Sequence, residues 1–542
     1  MFMNTPQNQA RGQNFHALHM NWYEFPDTDA LEAWTYTSEF TYEAGQRVDF
    51  HTSSTFEEYS IEIVRDGAKP ETVYIAEGLR GESFPTPVDA SVKGCGWPVT
   101  HSWDTPKDLQ SGGYLILTTA RSSTGEEVEH QHFFAVRAAE PGKSSDILFV
   151  LCTTTWMAYN NWGGSNHYEG NYNGPDENAM APILSSQRPW AKGQVWLPVG
   201  APRIPIEVSP EMGAIPRYTG LEWANLHGYG KYYAASGWAS FERHFTVWAE
   251  KNGYPLEYAT QHDLQYRPEI LQHYKCVVIV GHDEYWTSEM RDAIDAYVDG
   301  GGNVARFGAN FIWQVRLEDD GQTQVCYKYN AREFDPLMGT KEQHMLATAW
   351  ESPLVNRPGA STFGLNGFHC VYAGFGGWNP RNSGGYVVYR NDHWVFEDCD
   401  LYFGDCFGMS AKVFGFEVDG VDFTFRNGLP YPTFTDGAPE GLQILAMNAS
   451  GLEEEDHGNK GTVLYAGDAD VAFKVEELHG KDTPELRRES QYGAGQMAVF
   501  SRNGGTVFNA GSCEWVNGLR LREPFTEKIT CNVLDRFLAD IS

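Results

Sequence analysis

Apolar residues are spaced along this chain with two different periods. From Thr35 to Arg137 they alternate with polar residues in short runs (YSIEIVRDG, ETVYIAEG, GYLILTTA, HQHFFAVR), each closed by Gly, Pro, Asp or Ser. That spacing predicts half-buried antiparallel strands and a β-sandwich of immunoglobulin type over residues 36–142. After the linker Ala138-Ala139-Glu140-Pro141-Gly142-Lys143 the period changes. Residues 147–151 (ILFVL) and 276–280 (CVVIV) are continuous apolar runs, the mark of strands buried on both faces of a parallel sheet, and 256–259 and 303–307 read as further strands. Amphipathic segments at 241–251 and 288–298 end at Asn252-Gly253 and Gly300-Gly301-Gly302, which are helix stop signals. A β-α-β-α-β alternation of this kind predicts a doubly wound parallel sheet.

The rest of the chain fills in around that sheet. Residues 1–35 read as a polar and aromatic arm, and 346–490, rich in Gly, aromatics and short strand-like pieces, as a β-rich insertion. Residues 491–542 return to the α/β domain of 143–345 through a strand pair in MAVFSRNGGTVFNAGSCEW and an amphipathic helix at 525–539. The fold class is therefore α/β plus β: a parallel-sheet domain of flavodoxin or glutamine-amidotransferase type, with an N-terminal immunoglobulin-like sandwich and a β-rich insertion.

A chain of 542 residues exceeds one hydrophobic core. Its 72 acidic and 40 basic residues give a formal charge of −32, which excludes nucleic acid and anionic membranes as partners. Nine cysteines without a C-x-x-C spacing read as free, mostly buried thiols. With no apolar leader or membrane-length run, they point to a cytoplasmic protein.

Open α/β sheets bind ligands in the crevice beyond the carboxyl ends of their strands. Three segments leave the predicted strands there: Thr155 to Tyr168, His282-Asp283-Glu284, and Gly308 to Trp313. Together they would bring phenols, a carboxylate, an imidazole and an amide to one edge. Each residue also has a plainer role. Tyr159 and Tyr168 are loop aromatics, His282 a hydrogen-bonded structural histidine, Glu284 a cap for the helix near Ser288, and Asn310 a turn residue. There is no H-E-x-x-H, G-x-S-x-G, Walker loop or G-x-G-x-x-G after a strand. Thiol catalysis lacks a nucleophile, because Cys276 opens its strand rather than following it. Paired carboxylates for glycoside cleavage remain open.

The order A-Y-N, Trp-Gly-Gly leading to a Tyr, W-x-E with Asn-Gly after it, Tyr-Ala-Thr, H-x-E-Y and G-x-N-x-x-W resembles the large subunit of N,N-dimethylformamidase and its homologues. The resemblance covers residues 147–316, with echoes in FGFEVD around Glu417 and in VFNAGSCEW. It implies a mononuclear, ferric iron held by two tyrosines and one glutamate, and hydrolysis of a small N-alkyl amide. By motif, Glu284 and Tyr159 are metal ligands, and the second tyrosine is Tyr168, or Tyr218 if the loop folds differently. His282, Asn310 and Glu417 are the implied catalytic residues. Phenolate and carboxylate are hard donors that suit such an ion. The implied partners are the amide, further copies of the chain and a small second subunit. The chain departs from the pattern at Asp283, where relatives often carry Pro, and in the aromatic segment from Tyr218 to Trp238. Two other readings are a metal-free carbohydrate-active or carbohydrate-binding protein, and a non-catalytic scaffold whose acidic surface binds a protein.

Overall fold

The computed structural model describes residues 30–168, 181–203, 219–230, 232–369, 384–415, 417–451 and 467–539. Its centre is a nine-stranded mixed sheet. In chain order the strands are β1 (Ile147–Leu151), β2 (Glu257–Thr260), β3 (Cys276–His282), β4 (Asn303–Ala309), β5 (Tyr386–Val388), β6 (Cys406–Phe407), β7 (Gln443–Gly451), β8 (Tyr492–Arg502) and β9 (Gly505–Asn509). Across the sheet they run β2-β1-β3-β4-β9-β8-β7-β5-β6. The first five pair in parallel and the remainder antiparallel.

The parallel half follows from composition. Every residue of β1 and β3 is buried, as expected of Val, Ile, Leu and Phe runs covered by helices on both faces. Among those helices are Glu242–Lys251, Ser288–Asp299 and Pro524–Leu538, each amphipathic with buried apolar positions. The second begins at Thr287, whose hydroxyl accepts from the Met290 backbone N–H, so Glu284 is not its cap. The stretch after β1 is not all loop: Thr153–Tyr159 is a helix buried along its whole length. Strands β5, β6 and β7, all from residues 346–490, hydrogen-bond onto the central sheet through β8.

Ahead of the sheet lie two antiparallel-rich layers. Ala33–Thr37, Arg47–Ser54 and His101–Asp104 form one, so residues 33–35 of the expected arm are already strand; residues 1–29 lie outside the described chain. Thr41–Glu43, Glu127–Arg137, Gly112–Arg121, Glu58–Asp66 and Glu71–Arg80 form the other. Val48, Phe50, Ile61, Ile63, Ile116 and Phe134 fill the space between these layers. The alternate residues Leu115, Phe133 and Ala135 turn the other way and join the core of the central sheet. Period-two strands thus seal the sandwich with one face and dock it with the other.

At the carboxyl end of β3 the backbone turns through Gly281, at φ +80°. A Cβ there would lie 2.4 Å from the Cβ of Phe241, so only glycine fits where the strand passes into His282.

Candidate active site

Three segments that follow parallel strands, and one from beyond residue 400, build a buried polar centre. Tyr159 ends the Thr153–Tyr159 helix, Tyr168 lies in the loop after it, and His282 and Glu284 stand at the end of β3. Their side chains meet although more than a hundred positions separate the two tyrosines from Glu284. Tyr159 OH donates to Glu284 Oε2 at 2.9 Å, and Tyr168 OH lies 2.7 Å from Glu284 Oε2, 3.0 Å from Oε1 and 2.6 Å from Tyr159 OH. Trp313 Nε1–H donates to Glu284 Oε1 at 2.6 Å. The structure therefore brings together Tyr159, Tyr168 and Glu284; Tyr218 lies outside the described residues.

The other three candidates adjoin them. His282 Nδ1 donates to the Ala235 carbonyl at 2.7 Å, which turns Nε2 toward Glu417 Oε2 at 2.6 Å and Glu284 Oε2 at 3.3 Å. The Asn310 amide N–H donates to Glu417 Oε2 at 2.7 Å, while its Oδ1 is buried without a hydrogen-bond partner. Asn310 follows β4 at φ 70°, held by its backbone N–H on Asp419 Oδ1 at 2.8 Å. Asn and Asp tolerate this left-handed conformation better than most residues.

Three further residues in the centre had little signal in the sequence. Tyr285 OH lies 2.8 Å from Tyr168 OH and accepts from Lys328 Nζ at 2.9 Å. Lys328, 1% exposed, also sits over the Tyr168 ring at 3.4 Å from its centroid. Trp313 was visible only as the last residue of G-x-N-x-x-W, and Lys328 only as a cation between two tyrosines.

Burial raises the pKa of the Tyr159 and Tyr168 phenols well above the ordinary range, and the adjacent Glu284 charge adds to it. Burial works against a charge on His282 too, but Glu417 and Glu284 beside it hold its pKa well above that of free histidine. For Glu284 burial is outweighed by the hydrogen bond from His282 and the charge of Lys328, so its carboxyl stays below the usual value. What results is a dry cluster of phenolic and carboxylate oxygens facing an imidazole–carboxylate pair. Tyr159, Tyr168 and Glu284 are hard oxygen donors converging on one point, and they could hold a small, highly charged cation.

Beneath the centre, Asp283 serves the fold rather than the cluster. Its carboxylate accepts from Arg306 Nε at 2.7 Å, and Arg306 Nη1 reaches Asp419 Oδ2 at 2.6 Å, all of them buried.

The architecture defines a mixed-sheet protein with a buried, oxygen-rich polar centre at the carboxyl end of its parallel strands. The chain belongs to the family described as N,N-dimethylformamidase beta subunit-like, C-terminal, which it matches over residues 63–530. The N,N-dimethylformamidase beta subunit of an Alcaligenes species is 25% identical over 321 residues, covering 55% of this chain and 36% of that relative. That of Paracoccus aminophilus is 24% identical over 321 residues with the same coverage. The match thus spans little more than a third of the length of these curated relatives. Among solved structures, murine CRIg and CopC from Methylosinus trichosporium OB3b align with 20% of the chain at a TM-score of 0.14, with 13% and 19% identity, an overlap too slight to carry an argument. Among the described residues no helix is long and apolar enough to cross a membrane, and the eight described cysteines are free, six of them buried.

Proposed function

We propose that this chain carries an amide-hydrolysing centre, in which water and a small N-substituted amide give a carboxylate and an amine at a mononuclear ferric iron held by Tyr159, Tyr168 and Glu284. One observation carries the reading: two phenols and a carboxylate remote from them in sequence meet within 2.6–3.0 Å in the interior of a chain whose relatives are named dimethylformamidase subunits. The donor chemistry fits, because three anionic oxygens neutralise a trivalent ion in a site where charge is costly. When bound, such an ion supplies a Lewis acid for the carbonyl and lowers the pKa of a water.

The remaining work falls to side chains. His282, oriented by Ala235, shares a proton with Glu417 that is positioned to reach the departing amine nitrogen. Asn310 presents an amide to oxygen charge that develops on the carbonyl. Lys328 and the rings of Tyr168, Trp313 and Tyr285 wall off solvent, which strengthens every polar contact inside. The relatives' name, beta subunit, supports assembly with a second chain, and further copies of this one are part of the same proposal.

Elemental analysis of the purified protein tests the reading, with about one iron per chain expected and a visible phenolate-to-iron band that Tyr159→Phe weakens or removes together with release of amine from dimethylformamide. A colourless, metal-free protein that still hydrolyses the amide would refute it. Trp313→Phe keeps an aromatic ring in the site but removes the N–H held by Glu284 Oε1 together with part of a buried indole. Its expected effect is an approximately 10- to 100-fold loss of turnover with the fold retained by circular dichroism and a urea midpoint lowered by the smaller buried ring. Full activity in Trp313→Phe would show that this bond does not hold the carboxylate in place.

A further inference from the structure

Beside His282 and Glu417 lies a thiol that the proposed hydrolysis leaves unused. Cys513 follows β9, is 0% exposed, and among the described residues its thiol donates to the Ala309 carbonyl at 3.5 Å. An imidazole nitrogen of His282, a carboxylate oxygen of Glu417 and Cys513 Sγ all lie within 4.8 Å of one another, and all three residues are buried. They come from three separate parts of the chain, the end of β3, the segment before β7 and the turn after β9. We propose that His282, Glu417 and Cys513 form a second, softer cation site that takes a divalent ion of the zinc type and, when filled, blocks the enzyme.

The donor set favours this class of ion. One thiolate, one imidazole and one carboxylate match the nitrogen and sulfur preference of zinc, whereas Tyr159, Tyr168 and Glu284 offer only hard oxygens. With bonds of about 2.0–2.3 Å, tetrahedral coordination needs donor atoms about 3.2–3.8 Å apart. The 2.6 Å contact between His282 and Glu417 would open slightly and the sulfur would move inward. A fourth donor is available after one side-chain rotation. Asn310 is 1% exposed, its amide lies 3.2 Å from His282 Nε2 and 2.7 Å from Glu417 Oε2, and its Oδ1 has no partner. Rotation of that amide turns a free carbonyl oxygen toward the ion. Charge balances as well, because the hydrogen held between Nε2 and Oε2 and the thiol hydrogen both leave, so a doubly charged ion replaces two protons with no net charge added to a buried site.

Filling the site removes His282 and Glu417 from proton transfer. Only that consequence rests on the proposed hydrolysis; binding stands apart from it. Cobalt(II) is the probe, since a cobalt–thiolate bond gives a near-ultraviolet charge-transfer band that oxygen ligands cannot. The full chain titrated with cobalt(II) should show this band, saturating near one ion per chain, and zinc should displace it. The band should be lost in Cys513→Ser and in Glu417→Gln, and retained in Tyr159→Phe and in Cys406→Ser, which changes an exposed cysteine. Circular dichroism identifies any variant that fails to fold, and the two band-losing variants act independently. No band in the parent protein, or a band that survives Cys513→Ser, overturns the proposal. A band in the cobalt-titrated protein, with no amide hydrolysis by the iron-loaded protein assayed before any cobalt is added, would sink the proposed function and leave this site standing.

Discussion

Glu284→Gln is expected to lower kcat/KM for dimethylformamide by at least about 10³-fold and to leave the protein without bound iron. The carboxylate collects bonds from Tyr159, Tyr168 and Trp313 and lies 3.3 Å from His282. Glutamine has the same shape but accepts at one atom only, so its NH₂ would meet N–H and O–H donors that now converge on an oxygen. It also removes one of the three negative charges that the proposed ligand set offers a trivalent cation, and with it part of the compensation for that ion in a desolvated site. Steady-state kinetics with iron analysis by mass spectrometry reads both effects, and circular dichroism confirms the fold. Should the glutamine variant keep its iron and more than a tenth of its activity, Glu284 is not a ligand.

Arg306→Met should cost the folded state about 3–5 kcal/mol. Arg306 is 0% exposed and is bound by Asp283 through Nε and by Asp419 through Nη1, with Asn509 Oδ1 at 3.3 Å. Its guanidinium lies 5.1 Å from the Phe363 ring centroid. Removing the cation leaves two buried carboxylates with no opposing charge, the arrangement that penalises loss of one partner far more than loss of the pair. The site suffers too, because Asp419 Oδ1 accepts from the backbone N–H groups of Asn310 and Phe311. Arg306→Lys restores the charge without the two-pronged geometry and should fall between. Urea unfolding gives the stability change; a loss below about 1 kcal/mol would mean the carboxylates find protons or water at little cost.

This network explains what the sequence could and could not tell about Asp283. In the one-dimensional text it stands between His282 and Glu284 and looks like part of their chemistry. In the fold the strand period turns it to the opposite side, where it pairs with Arg306 of the adjacent strand. Arg306 itself is a charged residue inside the run Asn303–Ala309, whose apolar neighbours mark a buried strand, and nothing local names its two partners.

Local pattern determined the positions of the strands at 147, 257, 276 and 303 and of the helices at 242 and 288, because the period of apolar side chains and the Asn-Gly and Gly-Gly-Gly stops are properties of neighbouring residues. Motif order, through the family resemblance, marked Tyr159, Tyr168, Glu284, His282, Asn310 and Glu417 as site candidates. The sequence by itself went no further. That Tyr159 and Glu284, 125 positions apart, share a hydrogen bond, and that Glu417 reaches Asn310 across 107, is decided by strand order in the sheet. The same order brings Lys328, Trp313 and Cys513 to the centre. Each of these contacts depends on the packing of segments distant in the chain, and no periodicity within a single segment carries that information.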